Sequence, residues 1–137
     1  MGDVIKVFPV RTSRREKPAS LRLYFDSGSP YTFIRWSAAR SFRGLAPLPE
    51  RTRFAGLGEG VFYASHGLFF ETRLLDLWCR HMAYVVADDT LASSYDMLVG
   101  HDFMQKFNVG LAPKQRDVVL DPASLRMAQT VHSAAAG

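Results

Sequence analysis

The segment "LRLYFDSGSPYTFI" (21–34) places an acid between two stretches that have the pattern of buried strands. Leu21, Leu23 and Phe25 alternate with Arg and Tyr side chains, which is typical of a half-buried strand. The pattern stops at Asp26, Ser and Gly follow, and hydrophobic residues then resume. Asp, Ser and Gly all favour tight turns. Asp26 therefore either caps this turn or is an acid that the fold presents for chemistry.

The composition is that of one globular domain. The chain has 137 residues, of which 47% are hydrophobic and 22% charged, and this is enough for a single core. No apolar stretch approaches the roughly 20 residues that span a bilayer. The N-terminal residues lack the layout of a signal peptide, with its charged, apolar and small-residue regions. We therefore expect a cytoplasmic protein with no membrane association.

Neither cysteine nor histidine residues indicate a metal site or cofactor. Cys79 is the only cysteine, so an internal disulfide is excluded and we expect a buried, small hydrophobic side chain. The four histidines show no spacing typical of zinc ligands. The formal net charge is +4, and the basic residues fall mainly at 11–17 and 43–53, which are rich in turn formers. We interpret both segments as solvated loops and do not expect nucleic acid as a partner, because no predicted helix has a basic face.

Short strands dominate the pattern along the chain. The predicted strands are 3–10, 20–25, two within 51–70, two within 73–88, 96–100 and two within 109–121, and the predicted helical turns are 36–42 and 101–107. These elements predict one mostly β domain over residues 1–121 with one short C-terminal helix. Residues 122–137 are small and polar, and we expect a partly disordered C-terminal tail.

Three motifs follow one another in a characteristic order: "LYFDSGSPYTFI", "FAGLGEGV" and "YDMLVGHDFMQKFNVGL". This order resembles the retropepsin-like aspartic peptidases, which include the retroviral proteases and the matching domain of DNA-damage-inducible ubiquitin-shuttle proteins. The resemblance covers about residues 3–121. It implies a single-domain, retropepsin-like acid-protease barrel.

The resemblance also implies roles for individual residues. Asp26 matches the catalytic aspartate of the family. Active-site turn support would come from Ser27, Gly28 and Ser29, with Ser27 bonding across two copies of the turn and Gly28 lining the substrate backbone. The flap, a mobile hairpin that closes over the substrate, would contain Gly56, Leu57, Gly58, Glu59 and Gly60. The core strand behind the turn, beside the substrate cleft, would contain Leu98, Val99 and Gly100.

The motif Asp-(Ser/Thr)-Gly occurs once in the chain, at Asp26. Peptide hydrolysis without a metal or a covalent intermediate needs one carboxylate as base and a second as acid, and two close carboxylates share a proton. One chain would therefore hold half of an active site and must pair about a two-fold axis. We expect a homodimeric aspartic endopeptidase that needs no cofactor and cuts extended polypeptides beside apolar residues.

Other interpretations stay open. A catalytically silent domain of the same fold could serve as a dimerisation or peptide-binding module. Pro30 and His101 favour this alternative, because viral relatives often have an acid and an Arg there that support the dimer, whereas the intact Asp-Ser-Gly motif opposes it. The glycines at 56–60 could form an ordinary flexible hairpin rather than a flap. They do not match a nucleotide-binding loop, since the GxGxxG spacing is missing. A third interpretation is a basic nucleic-acid-binding protein, which rests only on the net charge of +4 and the basic cluster at 11–17.

Overall fold

Nine strands and three helices make up the fold in the computed structural model, which describes residues 4–56 and 60–136. The strands are β1 (Val4–Arg11), β2 (Ala19–Phe25), β3 (Phe33–Arg35), β4 (Leu45–Ala55), β5 (Val61–Leu74), β6 (Leu77–Val86), β7 (Met97–Val99), β8 (Gly110–Ala112) and β9 (Asp117–Val119). The helices are α1 (Trp36–Ala39), α2 (His101–Lys106) and α3 (Pro122–Ala136). Single turns of 3₁₀ helix occur at Asp88–Thr90 and Pro113–Gln115.

Six of these strands close into a barrel. They pair in the order β1-β2-β7-β3-β6-β5, and β5 returns to β1 through Val10 opposite Thr72 and Arg11 opposite Glu71. Closure leaves no free edge among these six strands. The seventh strand of the sheet, β4, pairs only with β5 and lies outside the ring. The prediction of a mostly β barrel is confirmed.

Strand β7 lies between the two strands that the acidic turn joins. It runs parallel to β2 and antiparallel to β3, and Leu98 stands opposite both Tyr24 and Phe33. All three residues of β7 are buried. The ends of β2 and β3 are therefore fixed to one central strand, and the turn between them has a defined position.

The core has two parts. The larger cluster fills the barrel, and its fully buried members include Phe25, Phe70 and Phe103. Cys79 belongs to this cluster with 0% exposure, which confirms that it is a buried hydrophobic residue, and burial raises the pKa of its thiol to about 11. A second, aromatic cluster lies beside the β4–β5 hairpin and includes Phe54.

Two details of the strands differ from the sequence prediction. Residues 45–50 were expected in a loop but belong to β4, which contains Pro47 and Pro49. Proline is tolerated there because β4 is an edge strand, and its pairing with β5 shifts register between Pro47 and Thr52. The turn expected near the middle of 73–88 lies close to its start, where Leu74 pairs with Leu77.

The C-terminal segment also differs from the prediction. Helix α3 begins where the tail was expected, and because Leu125 joins the core, the packed unit extends beyond residue 121. Leu125 is fully buried in the main core, which the local sequence did not reveal. Asp121 stabilises the start of the helix, because it accepts hydrogen bonds from the Ala123 N–H (3.1 Å) and the Ser124 hydroxyl (2.7 Å). None of the helices in the described ranges is both long and apolar enough to cross a membrane.

Candidate active site

The barrel fixes the position of Asp26 through its main chain. The residue follows the buried Phe25 at the end of β2, and its N–H donates to the carbonyl of Val99 in β7 (2.9 Å). The turn then closes on itself, since the Ser29 N–H donates to the Asp26 carbonyl (3.2 Å). The Gly28 N–H donates to Oδ1 of the Asp26 side chain (2.9 Å). The carboxylate is therefore held in one orientation by its own turn.

The second oxygen of the Asp26 carboxylate is open to other partners. Within residues 4–56 and 60–136, Gly28 is the only donor to this side chain. The next residue, Ser27, is exposed, and its hydroxyl forms no hydrogen bond with any residue in these two described ranges. A Cβ atom at Gly28 would lie 3.2 Å from Asp26 Oδ1, which is closer than an ordinary van der Waals contact. Glycine at this position therefore leaves the carboxylate accessible.

A cleft of about 480 Å³ opens beside the turn. It is lined by Asp26, Gly28, Ser29, Pro30, Tyr31, Phe33, Thr52, Arg53, Phe54, Ala55, Gly56, Phe62 and Tyr84. The turn supplies one wall and β4 the opposite wall. Between them lies an aromatic cluster in which Phe54 meets Phe33 edge-on (5.0 Å between ring centroids) and stacks on Phe62 (5.4 Å). The arrangement places one accessible carboxylate beside a mainly apolar surface.

The β4–β5 hairpin holds the residues proposed as a flap. The two strands pair as far as Ala55 opposite Val61, and both flanking glycines, Gly56 and Gly60, have positive φ angles of 117° and 89°. Such angles are accessible to glycine without strain. Leu57, Gly58 and Glu59, at the predicted tip, lie outside the described residues.

The predicted strand behind the turn is β7, and it does not line the cleft. Leu98 and Val99 are buried in the core, at 1% and 0% exposure. Gly100 ends the strand where the turn passes closest: a Cβ atom there would lie 2.7 Å from the Ser29 carbonyl oxygen and would also overlap the Tyr31 carbonyl. Only a residue without Cβ allows this approach.

A buried polar cluster that sequence reasoning missed lies beneath the turn. The Thr32 hydroxyl, with 0% exposure, accepts from the Gly100 N–H (3.2 Å) and donates to Asp102 Oδ1 (2.8 Å). The other Asp102 oxygen bonds His81 Nε2 (2.9 Å). Burial alone would raise the pKa of Asp102, but the hydrogen bonds from His81 and Thr32 outweigh it and lower the pKa. The one available signal was a threonine within the apolar run 31–34.

The two positions that depart from the viral pattern are both exposed. Neither Pro30 nor the His101 side chain has a described hydrogen bond within residues 4–56 and 60–136. His101 instead uses its main chain, because its N–H donates to the Ser29 carbonyl (2.6 Å). The next residue, Asp102, bonds His81 through its side chain.

Comparison with solved structures assigns the fold. The retroviral protease-like domain of Ddi1 from Leishmania major superposes with a TM-score of 0.56 at 15% sequence identity, over 87% of this chain and 90% of that chain. Protein Lpg0085 from Legionella pneumophila, of unknown function, matches over 74% of this chain and 85% of that chain at 12% identity. Its TM-score of 0.43 is too low to support the assignment of the fold. No family model and no curated protein matches the sequence. The chain thus has a retropepsin-like fold, as the motifs predicted.

Proposed function

We propose that this protein is a homodimeric aspartic endopeptidase in which each subunit contributes Asp26. The observation that carries the proposal is the accessible Asp26 carboxylate, held by the Gly28 N–H at the mouth of an aromatic-walled cleft. The fold alone does not establish an activity. The combination of this fold with an intact Asp-Ser-Gly turn, in which Asp26 is half-buried and lines the cleft, is what supports peptide hydrolysis.

The proposed reaction follows from two facing carboxylates. Like charges a few Å apart cannot both ionise, so Asp26 and Asp26 of the partner subunit would share one proton. The ionised carboxylate accepts a proton from water as the water oxygen attacks the peptide carbon. The protonated carboxyl gives its proton to the carbonyl oxygen. When the tetrahedral intermediate collapses, the C–N bond breaks and the amine leaves with a proton from the dyad.

Features of the cleft support a choice of substrate. Phe33, Phe54 and Phe62 form an apolar surface next to the carboxylate, which favours large apolar side chains beside the cut bond. In the proposal, the hairpin that contains Gly56 and Gly60 closes over the bound polypeptide as a flap and excludes water. The reaction needs no cofactor, and we place the protein in the cytoplasm.

The dimer in this proposal uses the exposed face of the turn. In the proposal, the exposed Ser27 hydroxyl bonds its counterpart across a two-fold axis, as the resemblance implies. Because Pro30 and His101 replace the residues that support viral dimers, the remaining contacts must come from other surfaces.

The proposal is tested with a mixed library of unlabelled peptides. The purified chain is incubated from about pH 4 to about pH 7.5, a range that includes the titration of coupled carboxylates, and new termini are identified by mass spectrometry. We expect cleavage beside large apolar residues by the wild type and none by Asp26→Ala. Asp89→Asn, which alters an exposed acid on a 3₁₀ turn, is the matched control and should cut normally. Cleavage that persists in Asp26→Ala would refute the catalytic role.

A mixing experiment tests the shared site. When wild type is mixed with an equal amount of Asp26→Asn and allowed to exchange, about half of the wild-type subunits pair with an inactive partner, so activity per wild-type chain should fall by about half. A monomeric enzyme would show no change. If the folded dimer cuts no peptide at any pH, the silent dimerisation or peptide-binding module becomes the better interpretation.

A further inference from the structure

A second cavity, of about 380 Å³, lies on the outer surface of the barrel beside the cleft. We call it the lateral groove, and it is lined by Tyr31, Phe69, Arg80, His81, Met82, Tyr84, Asp102 and Lys106. Its floor is apolar: Phe69 on β5 stands opposite Met82 on β6, and Phe69 is 65% exposed. A phenylalanine this exposed, next to a methionine, gives the surface apolar area that the barrel itself does not use.

The lateral groove adjoins the active-site cleft. Tyr31 and Tyr84 line both cavities, and their rings meet edge-to-face with centroids 6.0 Å apart. The two tyrosines therefore form a ridge between the cleft and the groove. An extended polypeptide advances about 3.3 Å per residue, so a strand leaving the cleft over this ridge enters the groove within a few residues.

The rim of the groove carries a lysine that forms no salt bridge within the described residues. Arg80 lies 3.6 Å from a Glu71 oxygen, and His81 bonds Asp102. Lys106 instead donates to the Arg80 carbonyl (3.0 Å), and no carboxylate within residues 4–56 and 60–136 forms a salt bridge with it. The lysine is thereby held at the rim without a salt bridge, and Asp102 in the same groove acts on its charge only at longer range. An acidic side chain on a bound ligand would complement it.

We propose that the lateral groove binds a segment of the polypeptide substrate outside the cleft, a segment that carries an apolar side chain next to an acidic residue. The apolar side chain packs on Phe69 and Met82, and the acid pairs with Lys106. This inference rests on the proposed function, because it takes the cleft as the site where the rest of the same polypeptide binds. It adds a charge preference that the apolar cleft does not supply.

Binding rather than cleavage provides the test, so that it does not depend on activity. The probes are fluorescein-labelled peptides of about twelve residues, which are about 40 Å long when extended. Each peptide has Phe-Leu at its centre and one Leu–Glu pair elsewhere, and the position of the Leu–Glu pair differs from one peptide to the next. Their affinity for the Asp26→Ala protein is measured by fluorescence anisotropy, beside peptides with Lys in place of Glu. We expect one register in which Glu binds about threefold to tenfold more tightly than Lys.

Charge reversal assigns that preference to the groove. Lys106→Glu should remove the preference or invert it, while Lys114→Glu, an exposed lysine on a 3₁₀ turn, should retain it. Phe69→Ser should weaken binding about fivefold, whereas Met127→Ser, at a side chain of similar exposure (68%), should not.

Equal binding of Glu and Lys peptides at every register would overturn the inference, as would a preference unaffected by Lys106→Glu. Either result leaves the peptidase proposal intact if wild type cuts the library. Conversely, charge-dependent binding without cleavage would support the groove and refute catalysis.

Discussion

Replacing Thr32 by Val tests whether the buried polar cluster holds the candidate active-site turn. Valine has nearly the shape of threonine, so the change removes one hydroxyl without leaving a large cavity. In the wild type this hydroxyl accepts from the Gly100 N–H (3.2 Å) and donates to Asp102 (2.8 Å). Thr32 has 0% exposure and Gly100 is buried, so water cannot replace the lost partner at either group without rearrangement.

The expected cost follows from these two bonds. A buried N–H without an acceptor costs about 1–3 kcal/mol, and a hydrogen bond to a charged group contributes about 1.5–3 kcal/mol. Asp102 is partly exposed and keeps its bonds to His81 and to the Phe103 N–H, which reduces the second term. We therefore expect Thr32→Val to lower the free energy of unfolding by about 2–4 kcal/mol. Thr32→Ser keeps the hydroxyl and loses one buried methyl group, at a cost of about 1 kcal/mol.

Urea unfolding followed by circular dichroism measures both variants. All proteins are compared at the same subunit concentration, because dimerisation would make the apparent stability depend on it. If Thr32→Val is no less stable than Thr32→Ser, the hydroxyl does not bridge the turn and helix α2, and the described cluster does not stabilise the turn.

Two further predictions concern the parts of the fold that the sequence did not reveal. Leu125→Ala should lower the free energy of unfolding by about 2–5 kcal/mol, because the side chain is fully buried. Met127→Ala, at a side chain that is 68% exposed, should change it by less than about 0.5 kcal/mol. Equal effects of the two substitutions in urea unfolding would show that α3 does not pack on the barrel. In the folded chain the pKa of Asp102 is lowered from its ordinary value of 3.8. Ionised Asp102 therefore stabilises the folded state fully above pH 3.8, and this stabilisation is lost as the pH falls through the folded-state pKa. The stability difference between wild type and Asp102→Asn should therefore shrink as the pH is lowered below 3.8, and a difference that instead grows towards acid would contradict the sign of this shift.

The elements that were predicted well are those with strong local patterns. The alternation of residues 21–25 predicted β2, and the spacing of Phe103, Met104 and Phe107 predicted α2. The order of the three motifs predicted the retropepsin-like fold, which the comparison with a solved structure confirms. Alternation and helical spacing reflect which face of an element is buried, so one sequence is enough to detect them.

The elements that were missed depend on neighbours in space. Residues 45–50 looked like a loop because of Pro47 and Pro49, yet an edge position on β5 makes them a strand. Helix α3 looked like a fraying tail, because the apolar surface that receives Leu125 comes from other parts of the chain. Local composition does not contain either fact.

The sequence by itself determined that a tight turn would carry Asp26 at the end of a buried strand, because Asp, Ser and Gly after an apolar alternation satisfy purely local rules. Only the tertiary structure decided what surrounds that turn. Closure of β1 on β5 shapes the barrel, and Thr32 reaches Asp102 across 70 positions of the chain. The lateral groove likewise exists only where β5, β6 and α2 meet. Contacts between residues so distant in sequence are selected by the packing of the whole domain, which no local pattern specifies.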